Sequence, residues 1–267
     1  MKVGELLAVG RTADVHAFGT DAVVKVPGPE TPGHWAQIEA DISTAVHRHG
    51  LPTPAVRDVM TIDGRECIVF DRIQGPTMWQ RMLEQPTEVE ALATEMVGLQ
   101  RMIHAAGIPE GVPDLTSRLQ SKTSACSAIT EGERDEAAHL VAGLPRGAAL
   151  LHGDLHPGNV LLGPDGPVVI DWFDAAIGHP VADVIRSSFL LRLGFEGGTQ
   201  QSLPDATRSL LDQTHTAYVH TWRTSIELET NALKQWEPVL ALARISEGHE
   251  ETAPLLELWN RREMASA

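Results

Sequence analysis

Two short blocks in the second half of the chain hold the residues whose types and spacing point to chemistry. The first reads HGDLHPGN (152–159), and the second, VIDW (169–172), places Asp171 twelve residues after Asn159. Phosphoryl transfer needs an acceptor hydroxyl aimed in line and metal ions that neutralise charge on the phosphates. Since Mg²⁺ prefers hard oxygen ligands, Asp154 is suited to face the acceptor, while Asn159 and Asp171 are suited to hold the metal.

The spacing between Asp154 and Asn159 is that of kinase catalytic loops, in which a metal-binding Asp follows further along the chain. The alternative is a Gly- and Pro-rich surface loop whose Asp and Asn residues only cap turns. Two correctly spaced blocks, with an apolar strand-like run before Asp171, favour the phosphoryl-transfer interpretation.

The same stretch is strongly acidic. Residues 154–183 contain five Asp and no Lys or Arg, a net charge of −5. Such a density of carboxylates is hard to fold without a counter-ion or a cationic ligand. The sequence therefore predicts bound Mg²⁺ here.

The run HGDLHPGNVL (152–161), followed by VVIDWFDAAIGHPVADV (168–184), resembles the catalytic and metal-binding loops of aminoglycoside phosphotransferases and their choline- and thiamine-kinase-like relatives. The resemblance implies that Asp154 is the catalytic base and that Asn159 and Asp171 bind Mg²⁺. It also implies that His152 holds the loop. HGD in place of HRD favours a small-molecule kinase over a protein kinase.

The first part of the chain supplies a candidate nucleotide clamp. Lys25 stands in an apolar run (23–26) and resembles the strand lysine that pairs with the α- and β-phosphates of ATP. Glu39, fourteen residues later on a predicted helix, is its natural ion-pair partner. Each residue alone reads more simply as a surface charge, and their order before the catalytic loop favours the clamp.

Two further segments are expected to contact the nucleotide. The turn that begins at Gly10 has one glycine where a protein-kinase loop has three, and it resembles the corresponding turn of phosphotransferases. Its backbone N–H groups can reach a phosphate; these are contributed by Arg11, Thr12 and Ala13. By position, relatives place adenine against a hinge that corresponds here to Asp71, Arg72 and Ile73.

Asp174, His179 and Asp183 follow the metal-binding block. The family commonly has an acidic residue where His179 stands, so the local charge here is one unit less negative. Asp183 is predicted to open a helix rather than to contact substrate. For Asp174 both roles stay open.

These residues need a scaffold, and the chain predicts one in two parts. Short strand-like runs with one helix at 34–49 fill the first 70 residues, and an Asp63-Gly64 hairpin turn joins two of the strands. Beyond residue 76 the pattern is mainly helical, with a long helix at 115–142. Thr87 and Glu90 form a capping-box pattern.

The pattern and the resemblance together predict an α+β, bilobal protein-kinase-like fold. Its small β-rich N-terminal lobe is expected at residues 1–75, with a hinge at about 71–75. Its larger α-helical lobe, for catalysis and acceptor binding, is expected at residues 76–267.

The overall composition of the chain limits the kinds of molecule that it is expected to bind. The formal net charge is −15, which argues against a nucleic-acid partner and is compatible with a cationic acceptor. No apolar run is long enough for a membrane span, and no secretory leader is recognised. Two cysteines in no metal-binding spacing favour a reduced, cytoplasmic setting.

Three functions compete. The first is an ATP-dependent O-phosphotransferase acting on an aminoglycoside-like or other antibiotic, a resistance enzyme. The second is a metabolic kinase of a sugar, choline or thiamine-like alcohol, and the third is an inactive nucleotide-binding regulatory module. GTP stays open as the donor. The glutamates that could bind an acceptor's ammonium groups are Glu227, Glu229, Glu247, Glu250 and Glu251.

Overall fold

The computed structural model describes residues 3–195, 203–225, 230–248 and 252–261. Its strands, in chain order, are β1 (Leu6–Val9), β2 (Ala13–Phe18), β3 (Ala22–Pro27), β4 (Val56–Ile62), β5 (Arg65–Asp71), β6 (Ala149–Leu151), β7 (Val160–Gly163), β8 (Gly166–Val169) and β9 (Ala176–Gly178). Its helices are α1 (His34–Arg48), α2 (Met78–Glu84), α3 (Val89–Ala105), α4 (Leu115–Ser124), α5 (Glu131–Gly143), α6 (Pro180–Leu193), α7 (Asp205–Ser225), α8 (Thr230–Ile245) and α9 (Thr252–Asn260).

The chain divides into two compact units. The first unit comprises Met1–Gln80, Pro109–Val112 and Pro157–Asp174, and the second comprises Arg81–Ile108, Pro113–His156 and Ala175–Ala267. The chain therefore passes from the second unit to the first between His156 and Pro157, inside the HGDLHPGN block. The lobe boundary at residues 71–75 stays a prediction.

An antiparallel five-stranded sheet forms most of the first unit, in the order β1-β2-β3-β5-β4. Asp63 and Gly64 both have positive φ, of 48° and 79°, as a tight hairpin turn between twisted strands requires. The predicted turn is therefore confirmed. Val24 and Val69 pack into one apolar cluster, whereas Ile68 packs against α1.

The β7–β8 hairpin belongs to the same unit, although it is distant in sequence. The amide of Leu162 donates to the carbonyl of Pro76 (2.9 Å), and the amide of Val169 donates to that of Pro52 (2.7 Å). Gly75 allows this close approach, because a Cβ there would lie 2.0 Å from the carbonyl oxygen of Leu162. The hairpin delivers Asp171 to the unit that contains the five-stranded sheet.

The second unit is helical, with β6 and β9 as a short antiparallel pair. Its core includes Phe189, Trp236 and Trp259. A buried polar group ties three helices together at Gln100, whose Oε1 accepts from Tyr218 (2.5 Å) and Trp222 (3.1 Å). Its Nε2 donates to Ser187 (3.2 Å). No helix in the described residues is both long and apolar enough to cross a membrane.

Two predictions about helix ends are wrong. The long helix at 115–142 is two helices, because Thr130 and Glu133 form a capping box that starts α5. Thr87 caps nothing, since a 3₁₀ turn (Pro86–Glu88) precedes α3 and delays its start to Val89. The α+β organisation itself, a β-rich first part and a helical second part, is confirmed.

Candidate active site

Lys25 and Glu39 form a buried ion pair in the first unit. Lys25 lies opposite Ile68 in the sheet register, so its side chain points to the face on which α1 packs. The Lys25 Nζ donates to Glu39 Oε1 (2.7 Å) and Oε2 (2.9 Å). Both carboxylate oxygens of Glu39 are thereby engaged by one ammonium group.

Asp171 joins the same ammonium group. It follows β8 with φ of 64°, a left-handed conformation uncommon outside glycine, and its Oδ1 lies 3.0 Å from Lys25 Nζ. Its side chain stays 39 % exposed. The amide of Ile170 donates to the carbonyl of Asn159 (3.0 Å), which fixes the buried Asn159 beside the end of β8.

Burial and the neighbouring charges shift the pKa values of both Lys25 and Glu39. Although burial opposes a charged Lys25, the carboxylates of Asp171 and Glu39 raise its pKa above the usual value. Burial raises the pKa of Glu39 to about 7, against the opposing effect of Lys25. The raised pKa favours a protonated Glu39, whereas the two short contacts with the Lys25 ammonium group favour an ionised Glu39. Because both contacts require an ionised acceptor, the geometry favours the charged pair at neutral pH.

Asp174 adds to the negative potential in the first unit. Its charge contributes to the raised pKa of Glu39. Between Asp171 and Asp174, the ring of Phe173 lies 4.5 Å from that of Trp35 on α1. This contact connects the segment that carries Asp171 with the helix that carries Glu39.

The turn before β2 is held at its ends. The amide of Gly10 donates to the carbonyl of Ala13 (3.0 Å), and a Cβ at Gly10 would lie 2.5 Å from that oxygen. The carbonyl of Thr12 accepts from the amide of Gly28 and from the hydroxyl of Thr31, both at 2.8 Å. Arg11 is exposed at the tip.

The proposed hinge residues begin at Asp71, the last residue of β5. Asp71 accepts from Arg57, which also binds Asp21 (3.0 Å). The amide of Arg72 donates to the carbonyl of Asp21 (2.9 Å). Ile73 is partly buried beyond them.

In the second unit, the HGD segment is held from α6. Asp183 is fully buried and accepts from the amides of Gly153 (2.8 Å) and His152 (3.3 Å), and its Oδ2 lies 2.9 Å from His104 Nε2. Burial acts to raise the pKa of Asp183, but the hydrogen bonds from His104 and Gly153 hold it below its usual value. Asp183 is thus an ionised acceptor for the loop.

His179, rather than Asp183, opens α6. The Nδ1 of His179 accepts from the amide of Val181 (3.3 Å), and Asp183 lies within the first turn. The prediction that Asp183 opens the helix is therefore wrong, since Pro180 occupies the first helical position and leaves the cap to the residue before it.

Asp154 itself is partly buried, with 25 % of its side chain exposed. Its amide donates to His152 Nδ1 (3.2 Å). That His152 holds the loop stays a prediction. The Oδ1 of Asp154 lies 3.5 Å from Arg186 Nη2, and its Oδ2 lies 3.8 Å from His156 Nε2. The ring of His156 stacks on Phe195 (4.3 Å).

Comparison with known proteins agrees with this geometry. The model of a family described as the phosphotransferase enzyme family matches residues 3–247, nearly the whole chain. The chain belongs to this family. It is therefore a phosphotransferase, and the resemblance inferred from the HGDLHPGN and VIDW blocks is confirmed. No curated protein matches the chain by sequence.

Solved structures of similar fold are themselves phosphotransferases. An aminoglycoside-3'-phosphotransferase of type VIII is 19 % identical, with a TM-score of 0.61 and 92 % of each chain covered. Amicoumacin kinase hAmiN, in complex with AMP-PNP, Ca²⁺ and Ami, is 13 % identical, with a TM-score of 0.59 and coverages of 98 % and 90 %. ADP-bound APH(2'')-Ib is 17 % identical, with a TM-score of 0.56 and coverages of 97 % and 94 %. These similarities confirm the protein-kinase-like fold.

The donor set of this phosphotransferase fits a magnesium ion. The described residues contain no group of three or more His, Cys, Asp or Glu side chains placed to hold a metal. An ion there would instead rest on one carboxylate and one amide oxygen, from Asp171 and Asn159. Mg²⁺ commonly accepts so few protein ligands, because phosphate and water oxygens complete its shell.

Sequence reasoning missed Arg186, His104 and Thr31, which contact the predicted loops. Arg186 carried a usable signal, because it is the first Lys or Arg after the acidic stretch 154–183. Nothing in the sequence pattern pointed to His104 or Thr31. Their partners are a carboxylate 79 residues away and a backbone carbonyl 19 residues away, which no local pattern reveals.

Proposed function

We propose that this phosphotransferase transfers the γ-phosphoryl group of ATP to a hydroxyl group of a small molecule. The observation that carries the proposal is the convergence of Glu39 and Asp171 on Lys25. A buried lysine fixed by two carboxylates keeps its charge and its direction, as an ammonium group that contacts the phosphates of ATP must do.

The acceptor side is assigned to Asp154. It would accept the proton of the acceptor hydroxyl while the new O–P bond forms and the bond between the γ-phosphorus and the β–γ bridging oxygen breaks, releasing ADP. The hydrogen bonds from His152 and Gly153 to Asp183 restrain the loop that presents Asp154. Mg²⁺, held by Asn159 and Asp171, would neutralise charge on the phosphates.

The nucleotide assignment extends to two other segments. We assign the backbone of Arg11, Thr12 and Ala13 to the phosphates, because bonds from Gly28 and Thr31 hold that turn in shape. Asp71, Arg72 and Ile73 are proposed as adenine contacts, and since the amide of Arg72 is engaged by Asp21, its contact would use the carbonyl. Solved relatives are described with ADP, GDP or AMP-PNP, so GTP is the alternative donor.

An antibiotic of the aminoglycoside kind is the first candidate acceptor. Its support is the family and the similar structures described with streptomycin and gentamicin. Of the five glutamates considered for ammonium groups, Glu247 is engaged by Lys122, Arg186 and Arg244. The other four lie outside the described residues. A metabolic kinase of a sugar, choline or thiamine-like alcohol is therefore the second candidate.

An acceptor screen tests this function. Nucleotide consumption with Mg·ATP or Mg·GTP would be measured against kanamycin, gentamicin, streptomycin, choline, thiamine and simple sugars. We expect saturable turnover with one acceptor class and an Asp154→Asn variant at least about 100-fold slower. That variant should bind Mg·ATP as wild type does. Binding of nucleotide without turnover on any acceptor would instead support the inactive regulatory module.

A further inference from the structure

Arg186 is a buried arginine that reaches the catalytic loop. It lies on α6 with only 8 % of its side chain exposed. Its Nε donates to the carbonyl of Gly153 (3.2 Å), and its Nη2 lies 3.5 Å from Asp154 Oδ1. The guanidinium group therefore contacts both the backbone and the carboxylate of the segment that carries Asp154.

A second carboxylate holds this guanidinium. The Nη2 of Arg186 donates to Glu247 Oε2 at 2.6 Å, and Glu247 also binds Lys122 (2.6 Å) and Arg244 (3.4 Å). Glu247 therefore forms ion pairs with basic side chains from three helices, α4, α6 and α8. A buried guanidinium group has little conformational freedom once its N–H groups are hydrogen-bonded. The bond to Glu247 therefore fixes the orientation of the Arg186 side chain toward the loop that carries Asp154.

The charges around Asp154 have a chemical consequence. Arg186 faces Oδ1, and His156 on the same loop lies 3.8 Å from Oδ2. A fixed positive charge favours the ionised form of a carboxylate, the form that can accept a proton. Since the 3.5 Å contact is longer than an ordinary hydrogen bond, Arg186 acts on Oδ1 mainly through its charge.

We propose that Arg186, held in place by Glu247, is a positioning residue for Asp154. It orients the carboxylate and favours its ionised form, which can accept the proton of the acceptor hydroxyl. The inference rests on the proposed function, because it needs Asp154 to be the base. It also gives Glu247 a role other than binding an acceptor's ammonium groups.

Four variants test the inference: Arg186→Gln removes the charge, Arg186→Lys keeps it without the fork, Glu247→Gln frees the guanidinium, and Arg192→Gln is the control. Arg192 lies on the same helix and packs over the ring of Phe189. Each variant would be assayed for kcat and KM with the acceptor found in the screen, over a pH range that begins below the ordinary pKa of Asp, about 3.9, and ends at about 9. Mg·ATP affinity and thermal melting would be measured alongside.

We expect Arg186→Gln to lower kcat by at least about tenfold, within the range attributed to general-base catalysis. Mg·ATP affinity should change less than about twofold, because Lys25, Asn159 and Asp171 are untouched. The acidic limb of the kcat/KM profile should move to higher pH, since loss of the opposite charge raises the pKa of Asp154. Arg186→Lys should restore the limb without full kcat, and Glu247→Gln should shift it in the same direction as Arg186→Gln.

Other outcomes overturn the inference. Arg186→Gln with wild-type kcat and an unshifted acidic limb would exclude a positioning role. A lower kcat with an unshifted limb and a lower melting temperature would leave Arg186 as a packing residue. Should Arg186→Gln not fold, an unshifted limb in Glu247→Gln decides against the inference. The proposed function itself is tested separately: it fails if the wild-type protein phosphorylates no acceptor in the screen.

Discussion

Asp171 combines two demands on one carboxylate. Its Oδ1 binds Lys25 at 3.0 Å, while 39 % of the side chain remains exposed. The left-handed backbone, with φ of 64°, is one that Asp adopts more readily than most other non-glycine residues. It places the carboxylate beside Lys25 while the side chain stays partly exposed, an arrangement that suits the proposed metal ligand.

Replacing Asp171 separates the metal role from the charge of the neighbourhood. Asp171→Asn keeps the shape but weakens both the contact to Lys25 and any bond to Mg²⁺. We expect nucleotide affinity in the presence of Mg²⁺ to fall at least about tenfold, as altered metal sites commonly show. Calorimetric titration of ATP with and without Mg²⁺ measures this effect.

Asp165→Asn is the matched control, since it removes an exposed charge of the same sign from the β7–β8 turn of the same unit. Its affinity should stay within about twofold of wild type in Mg²⁺. Equal losses in both variants would mean that net charge, and not a ligand at residue 171, governs nucleotide binding.

At the scale of the elements, the turn before β2 is preorganised by its neighbour loop. Thr12 accepts two hydrogen bonds, from the amide of Gly28 and the hydroxyl of Thr31. A turn with a single glycine therefore needs no glycine-rich flexibility, because the β3–α1 connection holds its carbonyl. Nothing in the spacing of residues 10–15 indicated this support.

Removing the Thr31 hydroxyl should loosen the turn. Thr31→Val deletes one hydrogen bond worth about 1 kcal/mol, so we expect the KM for ATP to rise about fivefold with kcat nearly unchanged. Thr31→Ser keeps the hydroxyl and is the control. A Thr31→Val variant with an unchanged KM for ATP would show that the hydrogen bond to Thr12 does not hold the turn.

The cap of α6 titrates. Burial lowers the pKa of His179, so the folded state favours the neutral ring that accepts from the amide of Val181. Stability from this group is present above the unfolded pKa of about 6.5 and is lost as the pH falls below it.

His179→Asn keeps a capping acceptor without titration. The free energy of unfolding, followed in urea at pH 7 and pH 5, should therefore fall less with pH in this variant than in wild type. His179→Ala should lose about 1 kcal/mol at pH 7. Parallel pH dependences of wild type and His179→Asn would contradict the role of this ring.

Helix ends show where sequence reasoning succeeds and where it fails. The Asp63-Gly64 turn was predictable, because only a few residue types tolerate positive φ at both central positions. The capping box at Thr130 and Glu133 has the same sequence form as the pair at Thr87 and Glu90. Pro86 decides between them, since it starts a 3₁₀ turn that displaces the second pair. Local pattern alone does not resolve that competition.

At the scale of the whole molecule, the residues assigned to the nucleotide and metal come from distant parts of one sequence. Lys25, Glu39, Asn159 and Asp171 all belong to the first unit, because the segment 157–174 joins the unit that contains the five-stranded sheet. The sequence predicted which residues would bind nucleotide and metal, but it did not predict that all four would belong to one unit. The bonds that produce it, from Leu162 to Pro76 and from Val169 to Pro52, connect backbone atoms, which leave no mark on residue type.

This grouping predicts the pattern of protection by nucleotide. At Mg·ATP concentrations about 100 times the dissociation constant, a state that binds ligand gains about 2.7 kcal/mol. Amide hydrogen exchange should therefore slow by up to about 100-fold in β3, α1 and the segment 157–174 together. Chelation of Mg²⁺ should reverse the effect, and Asp154→Asn should preserve it. Protection confined to residues 1–75 would contradict the assignment of Asn159 and Asp171, because ligands at both residues must hold segment 157–174 as firmly as they hold β3.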